Sequence, residues 1–406
     1  MAHTIEKITA EEILDSRGNP TLSVTVTAGD KRGTFGVPSG ASTGAHEAHE
    51  LRDGDMKHYG GSGVKKVVEI VEDIIAPALH GIAIADQKKI DTVMLELDGT
   101  PNKTKLGGNA MVGVSVACAK AAGGENLIEH LQTLADIPAS RPQPLLFMNL
   151  INGGKHAGTR LAFQEYHVVP MVDTVEEALE IGVMLQRKLH TLLAEKVGRS
   201  AIGYGDEGGF VPDVEDVRLP LELLTDAISQ TGNEDRVRLS LDVAASSFYT
   251  DGKYAVGDDV MSAEQLFDMY VAMQKDFNFF SIEDPFDEED FDNFAKLLAA
   301  GGGMHIVGDD LTVTNVSHLT RAIKEKSIDT ILIKPNQVGT LTETLDTMAL
   351  ARKNNMHCLI SHRSGETNDA FIADLAVAFG CHGIKAGAPQ RGERVAKYNR
   401  LAHLFA

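Results

Sequence analysis

Three acids, Asp242, Glu283 and Asp309, and two lysines, Lys334 and Lys385, each stand at or near the end of a short apolar run. The runs are "LSLD", "FFSIED", "HIVGDD", "ILIK" and "GIKAG", with "CLISHR" carrying His362 between the two lysines. From Asp242 to Lys385 the successive spacings are 41, 26, 25, 28 and 23 residues. Three anions drawn into one small space need a counter-charge. At an effective dielectric near 20, two like charges about 4 Å apart repel by roughly 4 kcal/mol. A hard divalent cation relieves this, and Mg²⁺ suits a carboxylate set completed by water and substrate. Taken singly, each acid reads equally well as a helix cap or a solvated loop residue. In register on successive strands, the three favour a shared site. Neither an EF-hand loop nor an HExxH zinc pattern occurs.

A lysine with its ordinary pKa of about 10.4 is protonated at neutral pH and cannot act as a base. Lowering it by three units takes roughly 4 kcal/mol, which one cation about 5 Å away supplies. Lys334 follows a dry strand, with Lys385 or a metal as the crowding charge, so it reads as a proton acceptor. A buried ion pair with one of the acids is the competing reading.

Glycine-rich loops add further groups. "PSGASTG" (38–44) reads as a mobile lid carrying Ser42, or as a plain surface loop. "NGGKHAG" (152–158) carries His156 and is not a Walker A loop. "GDEGGF" (205–210) holds Glu207 between glycines, where the backbone must turn tightly. "SHRSGET" (361–367) offers Arg363 and Ser364 as a guanidinium and hydroxyl for a phosphate.

The elements that position these groups follow from periodicity. Short apolar runs alternating with helical segments predict parallel strands with crossover helices. A closed β/α barrel puts chemistry at the C-terminal ends of its strands, where all six polar residues fall. A doubly wound sheet would gather its ligands at one switch point instead. "SAEQLFDMYVAM" and "TVEEALEI" open with capping boxes, Ser262 with Gln265 and Thr174 with Glu177. Upstream, "TLSVTVTAG" and "KRGTFGVP" read as paired strands. "VKKVVEIVEDIIAPALHGI" reads as a helix with Val64, Val67, Val68, Val71, Ile74 and Ile75 on one face. "NAMVGVSVACAKAAGG" reads as a closely packed small-residue helix, and the proline-rich "DIPASRPQPLL" as a linker. The expected division is an N-terminal α+β domain over 1–135 and a barrel over 136–406.

The chain has 406 residues, 43% of them hydrophobic, enough for two such units. Its first residues show no basic-then-apolar leader, and no window approaches a membrane span. Cys118, Cys358 and Cys381 are odd in number and widely spaced, which suits reduced thiols in a cytoplasmic protein. A net charge of −20 argues against nucleic acid as the principal partner.

Taken together, these stretches resemble the enolase family. The resemblance runs through "DSRGNPT", "SGASTG", "HELRDGD", "NGGKHAG", "FQE", "GDEGGF", "LDVAAS", "SIEDPF", "GDDLTVTN", "IKPNQVGTLTET", "SHRSGET" and "IKAGAP", and so covers nearly the whole chain. It implies an α/β fold, an enolase-type β/α barrel of atypical strand order with an antiparallel first crossing, behind an N-terminal α+β domain. It implies a phosphopyruvate hydratase, a lyase of glycolysis converting 2-phosphoglycerate to phosphoenolpyruvate and water, and the reverse in gluconeogenesis. A lysine or histidine base with Mg²⁺ is a known scheme of enolase-superfamily sites. By resemblance Lys334 takes the C2 proton, and Glu207, with Glu165 beside it, protonates the leaving hydroxyl. Asp242, Glu283 and Asp309 hold a first Mg²⁺, and Ser42 helps bind a second that comes with substrate. The two ions stabilise the aci-carboxylate intermediate. Arg363 and Ser364, next to His362, grip the phosphate. Lys385 and Gln164 meet the carboxylate end or the metal shell, and His156 closes over the site.

Some positions depart from the family pattern. Ser23 and His403 replace a Glu and an Arg that face each other across a dimer contact, and Ser247 and Ala386 replace a Glu and a Thr. A homodimer or higher homo-oligomer is expected, by a contact that lacks the usual ion pair. The alternatives are another enzyme of the superfamily, disfavoured by the phosphate-binding pair, and a non-catalytic scaffold or surface-binding homologue, disfavoured by the complete set of catalytic groups.

Overall fold

The structure is a computed structural model and describes residues 3–41, 44–139 and 142–406. Three strands open the chain: β1 (Lys7–Leu14), β2 (Pro20–Ala28) and β3 (Lys31–Gly36), in an antiparallel meander with Val24 opposite both Ala10 and Phe35. Leu22, Val24, Val26 and Ala28 alternate along β2 and are fully buried, because the helix Gly108–Gly123 lies across that face. The fit requires glycine. A Cβ on Gly33 would sit 2.3 Å from the Ala117 carbonyl oxygen, and one on Gly113 would meet Val24 at 2.8 Å. The small-residue helix is therefore as closely packed as its composition suggests.

The helix read from Val64 onward spans Lys65–Leu79, with a π-helical stretch at Ile70–Ile75. Its buried positions are Val67, Val71, Ile75 and Leu79, spaced by four. The wider π turn keeps this four-residue repeat facing inward, where a regular helix would drift. It also turns Ile74 outward, 43% exposed, against the sequence expectation.

The remaining strands are β4 (Leu145–Asn152), β5 (Glu165–Pro170), β6 (Val237–Asp242), a small antiparallel sheet of β7 (Tyr249–Thr250), β8 (Lys253–Val256) and β9 (Asp259–Met261), then β10 (Ser281–Glu283), β11 (His305–Gly308), β12 (Thr330–Ile333), β13 (His357–Ser361) and β14 (Gly383–Lys385). A closed barrel runs β10-β11-β12-β13-β14-β4-β5-β6. β5 is antiparallel to both β4 and β6, and every other pair is parallel. All six runs read from the sequence are barrel strands, and the antiparallel crossing is where the resemblance put it.

Side chains alternate across each strand, so every second residue points to the barrel axis. Leu145, Phe147, Val169, Val307, Leu332 and Leu359 form one apolar interior layer, packed against Phe280. Each such burial contributes about 1.5–3 kcal/mol. Two residues further on, the same parity brings Asp309 and Lys334 to the C-terminal mouth. Two residues back, it turns His305 and His357 to the opposite end. The Ser262–Gln265 capping box is present in full. Thr174 caps the helix Val175–Lys196 by accepting from the Glu177 amide at 3.2 Å, but the Glu177 carboxylate pairs with Arg236 and leaves that box half made. Among the described residues no helix is long and apolar enough to cross a membrane, and the three cysteines are buried free thiols.

Candidate active site

The mouth of the barrel is built from charges. Lys385, at the end of β14, places Nζ 2.8 Å from Glu283 Oε2, 3.2 Å from Asp242 Oδ2 and 3.4 Å from Glu165 Oε2. Asp242 and Glu283 are direct partners across β6 and β10. Lys334 Nζ lies 2.5 Å from Asp309 Oδ2, and Gln337 donates to Asp309 Oδ1 at 2.8 Å. Lys334 also explains the proline behind it. It caps the short helix Pro335–Val338, and at the first helical position a missing N–H costs no hydrogen bond.

His156, Gln164, Glu165, Glu207, Asp242, Asp309, Lys334, His362, Arg363, Ser364 and Lys385 line one cavity, with Asp284 and Asp310. Glu283 joins them through Lys385. Thus every described residue singled out in the sequence comes to one place; Ser42 lies outside the described residues. The cavity leaves about 20 Å³ of room, space for roughly one water. Ion pairs fill the rest.

Burial dominates the electrostatics, and neighbours decide the sign. Burial works to raise Asp242, but Lys385, then Lys334, hold it at about 2. Glu283 goes the other way: burial and the Asp242 charge push it well above the usual carboxylate range. Asp284 and Asp310 are raised by burial and by neighbouring acids. Burial pulls the Lys334 ammonium down, but Asp309 outweighs it, so its pKa stands above the ordinary lysine value. The lowering expected from the sequence therefore needs the Asp309 charge to be engaged by cations.

The donor set fits a hard cation. Six carboxylates, from Glu165, Glu207, Asp242, Asp284, Asp309 and Asp310, face three cationic side chains, Lys334, Arg363 and Lys385, around the cavity. Buried negative charge in excess of its partners calls for a divalent ion held by oxygen.

On the other wall stands Glu207, at the turn Gly205–Gly209. Gly208 has φ +85°, and a Cβ on Gly205 would meet the His156 carbonyl oxygen at 2.7 Å. Glu207 Oε2 accepts from Asn149 Nδ2 at 3.0 Å and lies 3.4 Å from His362 Nε2. Arg394, which can only donate, reaches His362 Nδ1 at 2.5 Å. The proton of neutral His362 therefore sits on Nε2, facing Glu207. Burial holds His362 at about 4 and His167 at about 3. His167 Nε2 in turn lies 2.8 Å from Glu165 Oε2. His156 Nδ1 stands between the two acids, 3.5 Å from Glu165 and 3.6 Å from Glu207. Burial and the Glu207 charge raise Glu165; for Glu207, burial is outweighed by His156, His362 and Arg394, and its pKa falls well below the usual range.

Arg363 and Ser364 are held in place from behind. Arg394 is fully buried and donates to the carbonyl oxygens of Arg363 (2.5 Å), Ser364 (2.6 Å) and Asp206 (3.1 Å). Arg363 donates to both oxygens of Glu47 at 3.1 Å and to Asn336 at 3.0 Å. Ser364 Oγ accepts from the Ala41 amide at 2.6 Å and from Arg17 at 3.3 Å, which ties it to the N-terminal part of the chain. Beyond the Glu47–Arg363 pair lies a polar cavity of about 390 Å³, lined by Glu47, His49, Glu50 and Asn336 among others.

Sequence reasoning missed Asn149, His167, Glu47, Asp310, Arg17 and Arg394 as site residues. Asn149 left a signal: it is a polar residue inside the fully buried strand "LLFMNLIN". Arg394, on an ordinary-looking helix, left none.

Comparison with known proteins agrees with this geometry. The chain matches the family model "Enolase, C-terminal TIM barrel domain" over residues 141–404 and "Enolase, N-terminal domain" over residues 5–134. It is 48% identical to the enolase of Methanocaldococcus jannaschii, and 46% identical to enolase B of Dictyostelium discoideum and to the enolase of Methanococcus aeolicus. Each alignment covers 98% of this chain and 94% of the relative. The chain belongs to the enolase family.

Proposed function

We propose that the protein is a phosphopyruvate hydratase, dehydrating 2-phosphoglycerate to phosphoenolpyruvate and running the reverse reaction when product accumulates. The observation that carries this reading is the pairing of Lys334 and Glu207 in one buried cavity with Arg363 and Ser364. Base, acid and phosphate grip are what removal of a proton and a hydroxyl from a phosphorylated acid demands.

Asp242, Glu283 and Asp309 would hold Mg²⁺, with Ser42 helping to hold a second ion, and the bound ions would supply positive charge where negative charge builds on the substrate carboxylate. The chain's own residues do the rest. Arg363 exchanges its bidentate pair with Glu47 for the substrate phosphate, and Ser364 adds a hydroxyl. Lys385 and Gln164 orient the carboxylate end. Lys334, with Asp309 engaged elsewhere, takes the proton from C2. Glu207, with Glu165 beside it, protonates the departing 3-hydroxyl, and His156 closes the wall beside them. The filled cavity keeps bulk water from quenching the reaction.

Residues 1–135 act in this reading as the capping domain and 136–406 as the barrel. The protein works in the cytoplasm, which suits its free thiols. It assembles as a homo-oligomer whose contact cannot use the usual charge pair at Ser23 and His403. The test is absorbance of phosphoenolpyruvate formed from 2-phosphoglycerate, with and without a chelator. Metal-dependent turnover supports the reading; no turnover with Mg²⁺ present overturns it.

A further inference from the structure

At the barrel end opposite the active site, three histidines converge. His305 opens β11, His357 opens β13, and His382 immediately precedes β14. A ring nitrogen from each lies within 4.8 Å of the other two. The ring centroids of His357 and His382 are 4.0 Å apart, and His305 is 5.1 Å and 5.6 Å from them.

Their setting is built. Backbone bonds anchor all three: His305 N donates to the Phe280 carbonyl oxygen at 2.9 Å, His357 N to that of Asp329 at 2.9 Å, and His382 N to that of Cys358 at 3.0 Å. Phe280 stacks on His382 at 5.7 Å and leans on His305 at 5.0 Å, closing the inner side with an apolar wall. Asp329, just before β12, lies 2.8 Å from His305 Nδ1. The Asp329 carboxylate fixes the proton on Nδ1 and turns Nε2, the better ligand atom, away from it. A carboxylate behind an imidazole in this way is the usual outer partner of a metal-bound histidine, and it raises ligand basicity. Four consecutive strands, β11 to β14, thus each supply a ligand or its orienting group.

We infer that His305, His357 and His382 bind a divalent transition-metal ion, of the zinc or cobalt class, independently of the catalytic metal. Imidazole nitrogen suits these ions, while the all-oxygen mouth suits Mg²⁺. Three histidines leave a fourth, tetrahedral position for water. The two ends are separated by the apolar layer, about 13 Å along β11 from His305 to Asp309. Bound Zn–N distances of about 2.0–2.1 Å would draw the three nitrogens, already within 4.8 Å of one another, closer together. The ion would clamp the starts of β11, β13 and β14 together, a stabilising role that turnover need not sense.

Co²⁺ distinguishes the two ends, because four-coordinate Co²⁺ absorbs visible light strongly and six-coordinate Co²⁺ on oxygen weakly. Titrating Co²⁺ into the full chain saturated with Mg²⁺ is expected to develop an intense visible band at one equivalent. His357→Asn and His382→Asn should each weaken that binding at least tenfold, with Mg²⁺-supported turnover within twofold of the parent. Asp309→Asn should keep the band. Should the histidine variants not fold, crystals of the parent soaked in Zn²⁺ serve instead, with an anomalous peak expected among the three rings. Absence of the band and of that peak, or undiminished Co²⁺ binding in both folded variants, overturns the inference.

Discussion

The two ends of one barrel were given opposite electrostatics by the same alternation of side chains. At the C-terminal mouth, inward positions carry Asp242, Glu283, Asp309, Lys334 and Lys385, and each is paired with an opposite charge. At the other end, the inward positions of β11 and β13 carry His305 and His357, joined by His382 and Phe280 from just outside β14 and β10, groups that can lie near water without large desolvation cost. An apolar layer insulates one from the other. The lesson is that a barrel's strand parity fixes where chemistry can sit, while residue type fixes which chemistry it is. Charge held in tension is needed only where a proton must leave carbon.

Variants that act at one end alone sharpen this contrast. The largest effect is expected for Lys334→Ala, which should lower kcat by about 10²–10⁴-fold, with Mg²⁺ binding measured by calorimetry retained. Next comes Glu283→Gln. It removes a hard oxygen ligand while keeping shape, and Mg²⁺ affinity should fall by about 10–100-fold or more. A full-strength Mg²⁺ isotherm in that variant would remove Glu283 from the metal site. Smaller again is Asn149→Ala, which strips a Glu207 oxygen of its partner. The expected cost is about 1–3 kcal/mol of stability and a fall in kcat with KM unchanged; a KM effect alone would count against a role through Glu207.

The smallest effect is on stability against pH. His362, fully buried, has its pKa depressed to about 4 from an ordinary 6.5. Below pH 6.5 the unfolded chain takes up a proton that the folded chain refuses, so stability falls as pH drops from 6.5 towards 4. The loss is at most about 3 kcal/mol from this group. Denaturant melts at pH 7 and pH 5 should show it, and His362→Gln should flatten the difference; an unchanged slope would mean His362 is already charged in the fold.

Much of this was legible in the sequence because barrel strands mark their own ends. An apolar run stopping at a charged residue, repeated six times, located the mouth and its chemistry. What stayed hidden had physical reasons. Ile74 fits a regular helical face, and only the π turn at Ile70–Ile75 sends it outward. Glu177 has the right spacing for a capping box, but Arg236 from a distant segment competes for it. For Lys334 the sequence left a lowered pKa and a buried ion pair as competing readings, because spacing shows which strands carry charge and not which charges touch. Its contact with Asp309 reverses the sign of the shift until cations engage that carboxylate. The histidine trio was invisible because each imidazole opens a run instead of ending it, and His382 lies one residue outside its strand.

The central claim is that proton removal and hydroxide departure belong to different residues, Lys334 and Glu207. Exchange of the C2 hydrogen of 2-phosphoglycerate with deuterated solvent separates them. Glu207→Gln should continue to exchange C2 while forming little phosphoenolpyruvate, and Lys334→Ala should lose both. Continued C2 exchange in Lys334→Ala at the parental rate would contradict the account.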